Sequence, residues 1–523
     1  MADAIDSIQD LSEHIPRGLI LQITNFVVSS AIGIWLTPFL IHTLGVAAYG
    51  LVPLAISLTG FMAVVMQSFG QSVARFLMIE MQGGDCKAAN RVFNTAILGN
   101  TAILLLLTPA ILLLALNAST IINVPEGQSF EFTLLFLGVL GSFIMDAWGG
   151  SFNVSMFVRN RLDIWGTIQI LQRVLQVVFL IALFSIAIPS VSQVGLSYAI
   201  SSALILGIIV FVWRRLTPQL KVCPWEFDRG RCWNIGCMTS WMIVNQVGTL
   251  LFLNIDLILV NILYGSIATA EYSVALQLSV MFRSVATPLY ALLLPLTLAY
   301  YANNMHGKIV HLSRTAVKLF TLGFVLPIGL LCGFAPEVLT LWIGEELALV
   351  APLLIILTIH LVVNLAFLPL TNINIAFNKM RIPGIITLGL GALTIPLAII
   401  FSYIGWGIYG VALAGVITLT LRNSVFLPWY AARITLVSPY TFLRPIVPGA
   451  MSTIVLVITI FWAKQYILVV SWGSLVLISS IMGLLYVMVI WLVGLTTAER
   501  ELILHLIPLP IRRIVAAMPV LFR

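Results

Sequence analysis

Charged residues are scarce in this chain. They make up 9% of its 523 residues, against about 25% in an ordinary soluble domain, whereas hydrophobic residues make up 60%. So few charges cannot cover the surface of a water-soluble protein of this length, and that class is excluded. The sequence therefore predicts an all-α polytopic membrane protein, since a helix satisfies its backbone hydrogen bonds internally when lipid surrounds it.

Long polar segments are also lacking, because apolar stretches recur along the whole chain. A helix needs about 20 apolar residues to cross the hydrocarbon core of a bilayer. We predict fourteen such spans, numbered in chain order, at residues 18–41, 48–75, 92–116, 131–157, 164–188, 193–213, 234–263, 271–300, 315–334, 350–375, 383–403, 408–430, 444–463 and 471–495.

Lysine and arginine are absent from every second connection between spans one and twelve. The connections at 42–49, 117–129, 189–193, 265–271, 335–349 and 403–409 contain neither residue, and among the loops only Lys464 departs from the alternation. Because Lys and Arg collect in cytoplasmic loops, both termini are expected in the cytoplasm. The net charge of +7 is explained by this topology and by attraction to anionic lipid head groups, so nucleic acid is not an expected partner.

Several functional signatures are missing. The five cysteines lie in predicted spans or cytoplasmic loops, so no disulfide is expected, and their spacing matches no metal site. The chain has no G-x-x-x-x-G-K-[ST] phosphate loop and no loop long enough to hold an ATP-hydrolysing domain. We therefore predict no metal and no cofactor, and an ion gradient or the substrate's own gradient is the expected driving force.

The second half of the chain repeats features of the first. A shift of 223 residues aligns three identical pairs without a gap, namely Tyr49 with Tyr272, Gly84 with Gly307 and Arg91 with Arg314. Two halves with an even number of spans have the same orientation, as in parallel repeats. We predict a six-helix N-lobe at residues 1–232, a six-helix C-lobe at 233–436, and two extra helices with a basic interfacial tail at 437–523.

Several spans carry their polar residues along one face. On a helix that turns about 100° per residue, the polar residues of span ten share a stripe about 80° wide. These residues are His360, Asn364, Thr371, Asn374 and Asn378. Similar stripes comprise Gln22, Asn25 and Ser29 in span one; Gln169, Gln172, Arg173 and Gln176 in span five; Asn245, Thr249 and Asp256 in span seven; and Tyr272, Ser279, Arg283, Tyr290, Thr297 and Tyr301 in span eight. Such faces are typical of a hydrated cavity, and bonding between packed helices, at about 0.6 kcal/mol per bond, is the alternative.

An arginine lies in the middle of span eight. Placing Arg283 there costs about 2.5 to 3.5 kcal/mol, so its guanidinium has to meet an anion, carbonyl groups or water. A pair with Asp256 in the neighbouring span is one interpretation. The other is a cavity in which the planar guanidinium binds a diphosphate through two hydrogen bonds. Arg173 is a second candidate for that contact, and Asp146 is its expected partner when no substrate is present.

Two segments carry prolines, glycines and charged residues in a distinctive order. TPFLIHTLGVAAYGLVPLAISLTGFMAVVMQSFGQSVARF has a proline late in span one, an LG-x-x-x-YG turn and a second span that ends in arginine. NIDLILVNILYGSIATAEYSVALQLSVMFRSVATPLYALLLPL has an aspartate in span seven, a tyrosine that opens span eight and a late proline. Both segments resemble the bacterial polysaccharide and O-antigen flippases of the multidrug, oligosaccharidyl-lipid and polysaccharide exporter superfamily.

The resemblance implies a V-shaped pair of lobes that moves lipid-linked sugar units across the bacterial inner membrane by alternating access. The expected substrate is an undecaprenyl-diphosphate-linked oligosaccharide, and the expected partners are membrane lipids and, as a further candidate, a polysaccharide polymerase complex. The candidate substrate-binding residues are Arg283, Arg173, Asn245, Tyr272, Tyr290, Asn25, Asn364 and Asn374, and the candidate ion-coupling residues are Asp256, Asp146 and His360.

Two other functions are compatible with a chain of this kind. An ion-coupled drug exporter of the same fold is one, but such exporters commonly carry a carboxylate in the first span, and residues 18–44 contain neither Asp nor Glu. A membrane glycosyltransferase or ligase is the other, and it needs positioned acids or bases on a sizeable outer loop. The predicted outer loops are short, and Glu337, Glu345 and Glu346 form their only acidic cluster. We therefore predict a transporter and not an enzyme.

Overall fold

The computed structural model describes residues 24–82, 85–116, 122–125, 127–158, 161–466, 469–496 and 499–500. Within these ranges the protein is helical and has no β-strand, which confirms the predicted fold class. The predicted interfacial tail after residue 500 lies outside the described residues.

Twenty α-helices follow one another in the described part of the chain. They are α1 (Thr24–Leu44), α2 (Val46–Gln82), α3 (Cys86–Leu116), α4 (Ser129–Val158), α5 (Leu162–Ile186), α6 (Val191–Leu216), α7 (Arg229–Leu253), α8 (Ile255–Ala291), α9 (Leu294–Ala302), α10 (His306–Gly333), α11 (Ala335–Ile343), α12 (Ala351–Ile359), α13 (Leu361–Ala366), α14 (Thr371–Ala376), α15 (Arg381–Phe401), α16 (Gly407–Thr420), α17 (Leu427–Thr435), α18 (Tyr440–Leu443), α19 (Val447–Tyr466) and α20 (Trp472–Val489). Short 3-10 turns lie at Pro224–Glu226, Glu345–Val350, Leu368–Leu370 and Arg444–Ile446, and π-helical turns lie at Ser402–Trp406, Leu421–Phe426 and Ile490–Gly494.

Thirteen helical stretches of the described residues are long and apolar enough to cross a bilayer. One of them, Arg381–Thr435, has 55 residues, far more than the roughly 20 that a single crossing needs. Gly405 and Gly407 break it with φ values of 97° and 56°, which glycine adopts without a Cβ clash. This stretch therefore contains predicted spans eleven and twelve.

The described residues form two compact units. The first contains the residues up to Val274 together with Gly384–Gly415, and the second contains Ala275–Pro383 and the residues from Val416 on. The three boundaries fall inside α8, α15 and α16. The predicted lobes, divided at residues 232 and 436, stay a prediction, because a grouping by contacts in one conformation does not show which helices move together.

An aromatic cluster forms part of the core of the first unit. Phe93 of α3, Phe152 of α4 and Trp213 of α6 are buried, with ring centroids 5.5 Å (Phe93 to Trp213), 6.1 Å (Phe93 to Phe152) and 5.1 Å (Phe152 to Trp213) apart. Aromatic pairs in such contact contribute about 0.5 to 1.5 kcal/mol each beyond the area that they bury. The cluster fixes α3, α4 and α6 against one another.

The helices α4 and α6 approach each other backbone to backbone. A Cβ atom on Gly138 would lie 2.3 Å from the carbonyl carbon of Gly195, and a Cβ atom on Gly195 would lie 2.5 Å from the carbonyl oxygen of Leu135. No side chain fits at either position without moving a helix. In lipid, close packing at small residues is a main source of helix association, so this contact stabilises the first unit.

The long helix α10 organises the second unit. Gly329 and Gly333 of α10 accommodate Leu456 and Ile460 of α19, and a Cβ atom on Gly449 of α19 would clash with Thr321 of α10. The hydroxyl of Tyr486 in α20 donates to the backbone carbonyl of Leu322 (2.8 Å). The two additional C-terminal helices are therefore packed on the ninth predicted span.

Two ion pairs join these C-terminal elements to the rest of the second unit. Lys464 at the end of α19 binds Glu337 of α11 at 2.8 Å, and Lys318 of α10 binds Glu499 at 2.6 Å. The first pair explains the lysine that departs from the loop alternation. It also shows that Glu337, one of the acidic cluster in the predicted outer loops, is bonded to a neighbouring helix.

We predict that Gly138→Ala destabilises the protein by about 1 to 3 kcal/mol, because the added methyl group overpacks a backbone contact that cannot yield locally. Gly141→Ala is the matched control, since it lies one turn away on α4 and a Cβ atom there meets nothing within 4 Å. The control should be neutral or stabilising by up to about 1 kcal/mol. Thermal unfolding of the purified proteins in detergent measures both, and an equal melting temperature for the two variants would contradict the packing described here.

Candidate functional site

A hydrogen-bonded polar network lies within the spans of the second unit. Its centre is Asn364 of α13, which is fully buried. The amide nitrogen of Asn364 lies 2.7 Å from Nδ1 of His360 and donates to the hydroxyl of Thr420 at 3.0 Å. Its amide oxygen accepts from the hydroxyl of Ser424 at 2.7 Å. This assignment satisfies both donors of the amide and makes Nδ1 of His360 an acceptor, which leaves the ring proton on Nε2.

Arg422 extends the network through its sequence neighbour. One guanidinium nitrogen of Arg422 donates to the side-chain oxygen of Asn423 at 2.8 Å. The amide nitrogen of Asn423 in turn donates to the backbone carbonyl of Asn364 at 3.3 Å. Arg422 also interacts electrostatically with the hydroxyl of Tyr290. Arg422 is thus part of the polar network.

Arg283 approaches the same network from α8. It is partly buried and interacts electrostatically with the ring of His360. Arg422 is thus hydrogen-bonded into the network, and Arg283 lies near it, within the membrane-spanning part of one unit. Like charges repel each other at low dielectric constant, so two guanidinium groups near one network favour the binding of an anion.

The predicted polar wall of span ten is divided in the structure. The span consists of α12, α13, a 3-10 turn and α14, so the constant rotation of about 100° per residue is not kept. His360 and Asn364 are bonded to each other, whereas Asn374 is 1% exposed and its amide atoms have no hydrogen-bond partner among the described residues. Asn372, which was not among the candidates, donates to the backbone carbonyl of Tyr290 at 2.8 Å.

The sequence reasoning missed Thr420, Arg422, Asn423 and Ser424 as members of a site. Three of them lie on the π-helical turn Leu421–Phe426, where the wider helix shifts side chains away from the face that a regular α-helix would give them. The signal that could have found them is the consecutive Arg-Asn-Ser triplet inside an apolar span. Adjacent polar residues in a span need partners on more than one side.

A second polar region lies on the first unit, around a carboxylate of α4. The amide nitrogen of Gln172 donates to both carboxylate oxygens of Asp146, at 3.0 and 3.1 Å, and contacts the hydroxyl of Ser202 at 3.1 Å. Arg173 is near enough for its charge to act on Asp146, and their pairing stays a prediction. Asp146 and Arg173 are both exposed near the middle of their spans. Charges at this depth have to face water or a polar ligand, because facing lipid costs several kcal/mol.

The N-terminal helix joins this region through an amide pair. Asn25 of α1 donates to the side-chain oxygen of Gln169 in α5 at 2.9 Å, and the hydroxyl of Ser29 donates to Asn25 at 3.3 Å. Asn25 is partly exposed. The predicted stripes of spans one and five are therefore in contact with each other.

The carboxylate of Asp256 lies in a buried part of the first unit. The hydroxyl of Tyr272 donates to Oδ2 of Asp256 at 3.0 Å, and both residues are nearly inaccessible. A Cβ atom on Gly415 would come within 2.9 Å of the same oxygen. In this conformation Tyr272 is a partner of a candidate ion-coupling carboxylate and offers no ring face to a sugar. The pairing of Asp256 with Arg283 stays a prediction.

Some polar residues of the predicted stripes serve to join helices. The hydroxyl of Ser279 in α8 donates to the backbone carbonyl of Leu357 in α12 at 2.8 Å. This is the interhelical bonding that the sequence offered as the alternative to cavity lining. The side chain of Asn245 lies outside the described residues, although its backbone is part of α7.

Solved structures share this architecture. The lipid II flippase MurJ in an inward closed conformation matches with a TM-score of 0.67 and 16% identity, over 92% of this chain and 100% of that one. An inward-facing multidrug resistance MATE family transporter of the MOP superfamily matches with a TM-score of 0.63 and 17% identity, over 80% and 98% of the two chains. An outward-facing MATE transporter matches with a TM-score of 0.59 and 16% identity, over 81% and 96%. The chain therefore shares the fold of these transporters and of this flippase.

Sequence comparison defines the family more narrowly. No protein-family model matches the chain. The uncharacterized membrane protein EpsK of Bacillus subtilis strain 168 is 33% identical over 494 residues, which cover 92% of this chain and 96% of that protein. The chain therefore belongs to the family of EpsK.

We predict that Asn364→Leu destabilises the second unit by about 1 to 2 kcal/mol, because it leaves the hydroxyl of Ser424 and Nδ1 of His360 without their partner inside the spans. Asn303→Ala is the control, since Asn303 is exposed and its side chain bonds only to a carbonyl of its own helix end. Thermal unfolding in detergent compares the two variants. A melting temperature for Asn364→Leu equal to that of the wild type would show that the network is not intact in the membrane protein.

Proposed function

We propose that the protein is a flippase for a lipid-linked oligosaccharide, with an undecaprenyl-diphosphate carrier, in the synthesis of O-antigen or another surface polysaccharide at the bacterial inner membrane. The observation that supports this most is one polar network inside the spans into which Arg422 is hydrogen-bonded and near which Arg283 lies. A diphosphate carries the charge and the oxygen geometry that guanidinium groups bind best.

The known structures with this fold are consistent with a lipid substrate. One of them is named a lipid II flippase, so the fold accommodates the translocation of a lipid. Inward-facing and outward-facing conformations have both been solved for transporters of this fold. We infer that this chain also works by alternating access, with both termini in the cytoplasm.

Each polar region has a proposed part in this cycle. Arg283 and Arg173 bind the diphosphate, and the exposed position of Arg173 makes it accessible to a ligand. Asn25, Asn245, Asn364, Asn374, Tyr272 and Tyr290 are proposed to contact the substrate as the cycle proceeds. Asp146 neutralises Arg173 between substrates and, with Asp256 and His360, is a candidate for ion coupling. A polysaccharide polymerase complex is the proposed partner that receives the product.

A drug exporter is the second candidate, because MATE transporters share the fold over most of their length. The first span argues against a drug exporter, because residues 18–44 provide no carboxylate for ion coupling. The two functions differ in the charge of the substrate. Exported drugs are commonly cationic and would be repelled by the guanidinium groups of Arg283 and Arg422, whereas a diphosphate is attracted by them.

We predict that Arg283→Ala lowers surface polysaccharide by about tenfold or more, since a lost charge-assisted hydrogen bond weakens binding by about 1.5 to 3 kcal/mol. Arg283→Lys should keep part of the activity, because lysine retains the charge but not the two-point geometry. Polymer is quantified in cells whose only copy is the variant, at matched membrane levels of the protein. The control is Arg444→Ala, which removes an exposed arginine at the start of a 3-10 turn.

The outcomes distinguish the candidates. Normal polymer from Arg283→Ala at native protein level would refute the substrate role of this residue. Unchanged polymer together with altered efflux of a cationic dye would favour the drug exporter.

A further inference from the structure

Large hydrophobic side chains are exposed around the connection between α6 and α7. Trp225 is 98% exposed and Trp233 is 74% exposed, while Val222 and Phe227 are each close to half exposed. A soluble surface rarely presents several large apolar side chains within twelve residues of sequence. Something other than water is expected to cover them.

The exposure does not result from a loose loop. Three side chains on one face of α3 bind the backbone of the connection. The bonds run from the N–H of Lys221 to Oδ1 of Asn90 (2.7 Å), from the N–H of Cys223 to Oδ1 of Asn94 (2.7 Å) and from the N–H of Asp228 to Oγ1 of Thr95 (3.1 Å). The backbone of the connection is thus bonded to α3, and the aromatic side chains of the connection are exposed.

The acidic groups of this region are engaged within the protein. Glu226 accepts from the amide of Asn90 at 2.5 Å, and Glu80 pairs with Arg231. The N–H of Arg231 donates to Asp228 at 3.1 Å, which lowers the pKa of that carboxyl group and keeps it ionised as the cap of α7.

Basic groups dominate the exposed surface. Residues 214–233 contain five basic and two acidic residues. Four of the basic side chains, Arg214, Arg215, Lys221 and Arg229, are exposed. The guanidinium of Arg215 lies 4.8 Å from the ring centre of Phe211, which itself is exposed on the last turns of α6.

We propose that residues 214–233 bind anionic phospholipid head groups, with Trp225 and Trp233 inserted at the level of the head groups and the basic side chains bound to lipid phosphates. The connection joins the ends of two predicted crossings, Val191–Leu216 and Arg229–Leu253, so it lies at the membrane surface by necessity. Tryptophan is enriched at that depth, and basic residues next to spans are attracted to anionic lipids. The combination of charge and aromatic character therefore matches a lipid surface. This proposal is independent of the proposed transport function.

The experiment uses the full chain in lipid nanodiscs made of phosphatidylcholine, with or without phosphatidylglycerol. The melting temperature of the wild type should rise in the anionic nanodiscs. The variant Lys221→Gln with Arg229→Gln should lose half or more of this rise. Tyr403→Ser is the matched control, because Tyr403 is 87% exposed in a connection without Lys or Arg, and it should keep the full rise.

A second measurement locates Trp225 itself. The difference between the emission of the wild type and that of Trp225→Phe, a conservative change on a rigid backbone, gives the spectrum of this one side chain. We expect a blue-shifted component that lipids brominated on the upper acyl chain quench. If the emission of Trp225 is that of a tryptophan in water and is not quenched, the proposal is overturned. A protein partner would then be the expected cover of this surface. An equal lipid-dependent rise in all variants would overturn it as well.

Discussion

The cost of placing a polar or charged group in hydrocarbon is the constraint on which the rest of this structure depends. It forces the described backbone into helices. It also requires every polar side chain within a span to have a hydrogen-bond partner or to face water. Gly138 and Gly195 bring two helices into backbone contact under this constraint, and α10 accommodates α19 at its glycines. Close packing at small residues thus holds these helices together. The polar side chains of the spans are not needed for these contacts.

Those groups are of two kinds. Asn364 is fully bonded and buried, and it holds together elements from three helical segments of the second unit. Asp146 and Arg173 are exposed at the middle of their spans and are placed to meet water or a ligand. The proposed transport of a lipid-linked substrate rests on this network and on these accessible charges.

The fold class and the spans could be predicted from the sequence because apolar length and the distribution of Lys and Arg are direct consequences of the bilayer. The expected pairing of Arg173 with Asp146 comes from the same reasoning about charge. The membership of Arg422 in the network could not be predicted, since it depends on a π-helical turn that no simple periodicity shows. Asn374 was separated from Asn364 by a 3-10 turn for a similar reason. The burial of Tyr272 against Asp256 depends on tertiary packing, which single-span reasoning does not contain.

The central claim is that charged residues in the middle of the spans face water and not lipid. It is tested by placing a single cysteine at position 173 in a chain whose five native cysteines are replaced by serine, and treating intact membranes with a charged, membrane-impermeant thiol reagent. Val178, which is 52% exposed on the same helix but on another face, provides the comparison. We expect rapid modification of Arg173→Cys and none of Val178→Cys. Equal protection of both cysteines would contradict it.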